Sequence, residues 1–157
     1  MKNLIGLFIL LAAATMPAFV NAQVDPVGKN YVAIGGYDVV AYFKSEKAVK
    51  GLASLQATHD HVIYYFSDAA NRDAFIKTPT AYLPQYDGFC ALAVGSQNKK
   101  VSINPEAFKI TNGKLYLFYD GVLPLSGRRF NSIEPWNKDE ANLIKKADVN
   151  WPKLRKK

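Results

Sequence analysis

One cysteine, Cys90, and two histidines, His59 and His61, are all the thiol and imidazole that the 157 residues contain. A lone Cys cannot close an internal disulfide, so stability in an oxidising compartment must come from the packed core. Both methionines, Met1 and Met16, fall in the first 22 residues, which read as a removable leader. A mature chain without thioether excludes the Met-rich copper carriers and the Met-ligated blue-copper sites. No Gly-x-Ser-x-Gly segment and no phosphate-cradling Gly loop occurs, nothing around Cys90 has the setting of a thiol hydrolase, and no internal repeat or low-complexity stretch is found. Without an acid/base or nucleophile constellation at usable spacing, a binding domain is favoured over an enzyme. The one apolar run, Leu4 to Ala14, is followed by Pro17 and Asn21, short of the roughly 20 residues a membrane span requires.

What is present begins with that run. Lys2 precedes it and Val20-Asn21-Ala22 closes it as a small-x-small site, which predicts a signal peptide over 1–22, cleavage after Ala22, and export to the periplasm or beyond. The residue directly after the site is Gln23 and not Cys, so a lipid anchor is not expected, nor a stable membrane anchor after cleavage. Residues 23–157 suit one domain with one core, and they carry all nine Tyr and both Trp. The formal charge is +7, but Lys2 leaves with the leader and Lys153, Arg155, Lys156 and Lys157 crowd the last five residues, leaving a body of +2. A basic tail, 153–157, on a nearly neutral exported domain reads as a solvated terminus, and nucleic acid is not an expected partner.

The pattern along the chain predicts an α+β fold in a single domain, with one antiparallel sheet of four to six strands and two main helices packed on it. Asp38 is placed to cap a short helix through Phe43. Strands are expected on both sides of a polar turn at Thr58-His59-Asp60-His61, the second being the dense Val62-Ile63-Tyr64-Tyr65-Phe66. Ser67 and Asp68 open a helix that Pro79 stops. Tyr82 to Val94 reads as a Pro-led loop, a Gly88 turn, and then a buried strand in which Cys90, Leu92 and Val94 alternate with Ala91 and Ala93. Pro105 to Phe108 reads as a loop or helical turn. Asn112-Gly113 marks a hairpin whose second arm, Leu115 to Tyr119, is apolar on both faces and so central in the sheet. Residues 120–135, with two Gly, two Pro and the Arg128-Arg129 pair, read as a long loop, functional or mobile. A last helix, 137–148, carries Ala141, Ile144 and Ala147 inward.

Gly36-Tyr37-Asp38 with Val40-Ala41-Tyr42-Phe43, then Tyr64 and Phe66, Phe75, Pro79 and Tyr82, Gly88 with Cys90-Ala91, Gly113-Lys114-Leu115-Tyr116-Leu117, and Lys146-Ala147-Asp148 before Asn150-Trp151-Pro152 follow one another in a familiar order. In these the chain resembles the YHS-domain proteins, specifically the small exported bacterial form, over a domain of 23–152. The resemblance implies a binding module. Relatives attached to copper-transporting ATPases look like metal carriers with three Cys, and those positions fall here on Ala41, Ser67 and Asn71, none of which supplies a thiolate. The central phrase of the exported form, Tyr-Gly-Gly-Tyr-Cys-Ala-Tyr, is here Tyr86-Asp87-Gly88-Phe89-Cys90-Ala91-Leu92, with an Asp for one Gly and two Tyr hydroxyls gone.

Candidate ligand-binding residues are accordingly Tyr82, Tyr86, Asp87 and Cys90. Two roles are open for Cys90: a ligand or reactive thiol, or a small hydrophobe inside the core, which its apolar neighbours favour. A thiol-dependent enzyme centred on it is the leading alternative function, and it requires an imidazole within reach. His59 and His61, spaced i, i+2, would point to one face of a strand and could chelate a divalent ion. With the Cys triad replaced, only a mixed metal site is left: Cys90 with His59 or His61, joined by Asp60 or Asp87, suited to zinc or copper. That site requires the 58–61 turn to fold against the 86–90 loop. A further alternative is an aromatic pocket of Tyr37, Tyr42, Tyr82, Tyr86, Phe89 and Tyr116 for an organic ligand or haem, against the simpler role of these rings as core.

Overall fold

The computed structural model describes residues 23–156; the expected leader over 1–22 and Lys157 lie outside them. Among the described residues five helices occur: α1 (Ala41–Lys44), α2 (Ala69–Lys77), α3 (Ala91–Gln97), α4 (Ile133–Lys138) and α5 (Glu140–Arg155). Six strands pair as three antiparallel hairpins, β1 (Leu52–His59) with β2 (Val62–Phe66), β3 (Asn104–Thr111) with β4 (Lys114–Phe118), and β5 (Asp120–Val122) with β6 (Arg129–Asn131). The fold is α+β, as the sequence pattern predicts, but the expected continuous sheet of four to six strands is instead three separate two-stranded ones. Both longer hairpins carry a bulge, between Leu52 and Gln56 in one and between Asn104 and Phe108 in the other. A bulge bends its strand and increases twist, which favours curled ribbons wrapped on a core over a flat shared ladder.

β4 shows why the sheet was over-read. Leu115, Tyr116, Leu117 and Phe118 are all buried, yet β4 has only β3 beside it. On one face Tyr116 and Phe118, two residues apart, stack on Trp136 of α4 at ring separations of 5.5 and 5.4 Å. The rest of the strand meets α3 and the turn at Gln85–Gly88. Apolar residues on both faces require cover on both faces, and helices and turns supply it as well as neighbouring strands do.

The Cys90-to-Val94 stretch is helical, not the expected strand. Cys90 precedes α3, and Ala91, Leu92, Ala93, Val94 and Gly95 are all buried. A helix buried all round has no amphipathic stripe to betray it, so small and large residues in alternation imitated a strand. The small residues serve a close helix crossing: a Cβ on Gly95 would stand 2.7 Å from the Leu143 carbonyl oxygen of α5. The Asn150 amide of α5 also donates to the Val94 carbonyl, at 2.8 Å. Leu143, Ala147 and Leu154 form the buried line of α5, so its inward face is centred on Leu143 and not on Ala141, which is exposed. The helix runs past 148 to Arg155 with Pro152 inside it, which removes most of the expected free tail.

α5 begins on a polar node. Glu140 accepts from Lys109 Nζ at 2.8 Å, Thr111 Oγ1 at 2.8 Å and Trp136 Nε1 at 2.9 Å, tying α4, α5 and β3 together. Burial alone would raise its pKa, but these three hydrogen bonds and the Lys109 charge outweigh it and hold the carboxyl below its ordinary 4.5. A carboxylate depressed in the folded state adds stability above that ordinary value and loses it as pH falls toward the lower folded one. Urea midpoints taken from about pH 7 down to about pH 3 should therefore fall less steeply for Glu140→Gln than for the parent chain.

Candidate functional site

Asp38 and Asn71 are buried side by side although neither is apolar. Asp38 sits just ahead of α1 and its Oδ1 accepts from the backbone N–H of Val40 and Ala41, at 2.9 and 3.2 Å. Its Oδ2 accepts from the Ser67 N–H at 2.8 Å, the Ser67 hydroxyl at 2.7 Å and the Asn71 amide at 2.8 Å. Asn71 is held there by the cap of α2, where the Asp68 carboxylate accepts from its N–H at 2.8 Å. Asp38 thus does more than the expected capping. It joins α1, the end of β2 and α2, and the three positions that the resemblance aligns with Cys (Ala41, Ser67, Asn71) each donate to this one carboxylate.

The central phrase is a left-handed turn. Tyr86, Asp87 and Gly88 have φ of 57, 49 and 84° in succession, a conformation that costs a non-glycine residue roughly 1–2 kcal/mol each. The turn is secured by α5, whose Asp148 accepts from the Tyr86 hydroxyl at 3.0 Å and whose Arg155 pairs with Asp87 at 3.0 Å. Burial, then the Asp148 charge and hydrogen bond, push the Tyr86 hydroxyl far above its ordinary pKa, so it remains a donor. Arg155, expected in a solvated tail, is a structural partner of this turn.

The proposed site residues separate onto two cavities with no wall in common. His59, Asp60, Asp87 and Arg155 meet at a cleft of about 270 Å³ whose floor includes Ala33, Ile34, Val62 and Tyr64. Burial, then the charges of Asp87 and Asp60, push the Tyr64 hydroxyl up to about 12. His59 is near Asp60, at 3.6 Å, and edge-on to Phe75, while His61 occupies the β1–β2 turn with φ of 65°. Cys90 lies on the other cavity. The mixed thiolate–imidazole site is therefore not assembled, and among the described residues no group of three or more His, Cys, Asp and Glu is arranged to hold a metal ion. Tyr82 packs its ring on Phe43, at 5.6 Å, and Tyr42, Tyr86 and Tyr116 are core residues.

The Cys90 cavity measures about 470 Å³. It is lined by Leu92, Ala93 and Gln97 of α3, by Val122, Leu123, Pro124 and Phe130 of the β5–β6 hairpin, and by Gln23, Cys90, Val101, Ser102, Tyr119 and Ser132. Apolar lining outweighs polar, and the volume falls within the roughly 300–1,000 Å³ of small-molecule pockets. Cys90 Sγ lies 3.4 Å from Ser132 Oγ. That hydroxyl accepts from the Tyr119 N–H at 2.9 Å and donates to the Tyr119 carbonyl at 3.0 Å. With the hydroxyl hydrogen directed to the Tyr119 carbonyl, the thiol can donate to Ser132. A hydroxyl in that position cannot act as a base toward sulfur, and His59 is in the other cleft.

Cys90 was singled out from the sequence, but Tyr119, Phe130, Ser132 and the hairpin side chains were not. The length of the 120–135 segment was their only signal. Comparison of the chain with protein-family models, curated proteins and solved structures gives no match.

Proposed function

We propose that this chain is an exported, non-enzymatic binding domain of YHS type whose ligand is a small apolar organic molecule taken up in the cavity over Cys90. The cavity carries the proposal: a pocket-sized volume with aliphatic and aromatic walls and one buried thiol, made by four parts of the chain. The meeting of Ala41, Ser67 and Asn71 at Asp38 supports the YHS resemblance, with a hydrogen-bonded carboxylate where metal-binding relatives have thiolates. A thiol enzyme would need a base beside Cys90, and its partner is the Ser132 hydroxyl.

Alkylation kinetics test this. The native thiol should react slowly with an uncharged maleimide at about pH 6 to 7, more slowly still with an anionic thiol reagent, and should be protected by a saturating uncharged apolar compound such as N-phenyl-1-naphthylamine. Rapid labelling in that pH range would favour the thiol-dependent enzyme. Labelling that the compound leaves unchanged would separate Cys90 from any ligand site.

A further inference from the structure

The strands of the β5–β6 hairpin are three residues each, and beyond them the chain is exposed without interruption from Val122 to Arg129. Val122, Leu123 and Leu125 stand out in solvent there, Leu125 completely. Single exposed aliphatics are ordinary, but these three share a four-residue tip. The loop is closed on itself by Leu123 N–H to the Arg128 carbonyl and Gly127 N–H to the Leu123 carbonyl, both 2.9 Å, so the tip has a defined shape. Arg128 and Arg129 follow directly. Asp120 neutralises Arg129 at 2.9 Å, while the Arg128 side chain has no ion-pair partner among the described residues.

We propose that this tip docks on an anionic lipid surface, with Leu123 and Leu125 entering the boundary of the acyl chains and Arg128 among the headgroups. The inference goes beyond the binding function above; the tip shares Val122 and Leu123 with the cavity lining, but Leu125 and Arg128 lie outside it. An apolar point with the unpaired Arg128 guanidinium beside it matches a bilayer, apolar beneath an anionic face. A protein partner fits less well, because the tip offers eight residues where a stable interface uses about 20 to 30 on each side. Arginine suits the boundary, since its stem can lie along apolar surface while the guanidinium stays at the phosphates.

Flotation of the purified mature chain with phosphatidylcholine vesicles containing about one-third phosphatidylglycerol tests this, at low salt, about 0.01 M, where the Debye length is about 30 Å. The parent chain should float with these vesicles and not with pure phosphatidylcholine. Leu125→Asp, at a fully exposed position that leaves the core untouched, should weaken binding by about tenfold or more, and Arg128→Glu by roughly fivefold. Lys153→Glu combined with Lys156→Glu, on the far end of α5, should still float. The proposal is overturned if the parent chain does not float, if Leu125→Asp floats equally, or if the α5 charge reversals alone abolish binding. Self-association in solution that Leu125→Asp removes, without lipid binding, would assign the tip to a second copy of the chain instead.

Discussion

Asp38→Ala should cost about 4 kcal/mol of folding stability, a large part of the roughly 5–15 kcal/mol that holds a domain of this size. Asp38 is fully buried with no ion-pair partner among the described residues; five hydrogen bonds, from Val40, Ala41, Ser67 twice and Asn71, satisfy its carboxyl oxygens inside the protein. Removing the carboxylate leaves these donors facing a cavity. Each buried donor without a partner costs about 1–3 kcal/mol before relaxation, and the Ser67 hydroxyl, able to rotate, recovers part of it. Asp38→Asn keeps one acceptor and presents an NH₂ group to a ring of donors, so it should lose about half as much. Urea unfolding of the two variants measures both effects. A midpoint for Asp38→Ala within error of the parent chain would show that the buried carboxylate does not join α1, β2 and α2.

The parts of the fold that were legible are those where one residue type has a local mechanism. Asn112 and Gly113, at φ of 51 and 70°, make the hairpin turn their identities predict. Asp68 caps α2, and Val62–Phe66 is the strand that its β-branched and aromatic residues suggest. Three misreadings share another cause. Cys90 to Val94, Pro105 to Phe108 and 120–135 take their structure from tertiary contacts and not from local pattern: α3 packs on α5, Pro105 to Phe108 is held at the bulge of β3 by β4, and the β5–β6 hairpin is tied through Ser132 N–H to the Tyr119 carbonyl and the Gln23 side chain to Asp120. No local periodicity encodes those contacts.

The candidate site divides in the same way. Cys90 was visible because it is the only thiol, but its partner Ser132 lies 42 residues away and no spacing announces it. The expected link from Cys90 to His59 is not formed: His59 and Asp87 line one cleft with Arg155, and Cys90 lines the other cavity. Strain at the left-handed turn Tyr86–Gly88 is accounted for by its anchors on α5.

Loss of ligand binding on filling the Cys90 cavity is the second large effect. Ser102 lines the cavity, is half-buried, and belongs to the segment between α3 and β3, outside the buried core cluster. An indole introduced there can occupy the cavity without displacing a core side chain, which an enlargement at Ala93, inside α3, would risk. Ser102→Trp should therefore keep the parent urea midpoint while an apolar ligand loses its volume. Equilibrium fluorescence titration with the uncharged dye N-phenyl-1-naphthylamine, on the parent chain, Ser102→Trp and Leu125→Asp, is the most direct measurement. The expected result is saturable binding of one dye per chain, weakened at least about tenfold by Ser102→Trp and unchanged by Leu125→Asp, which alters the exposed tip but not the cavity wall. Equal affinity in the parent chain and Ser102→Trp, or no saturable binding to the parent chain, would contradict a ligand cavity over Cys90.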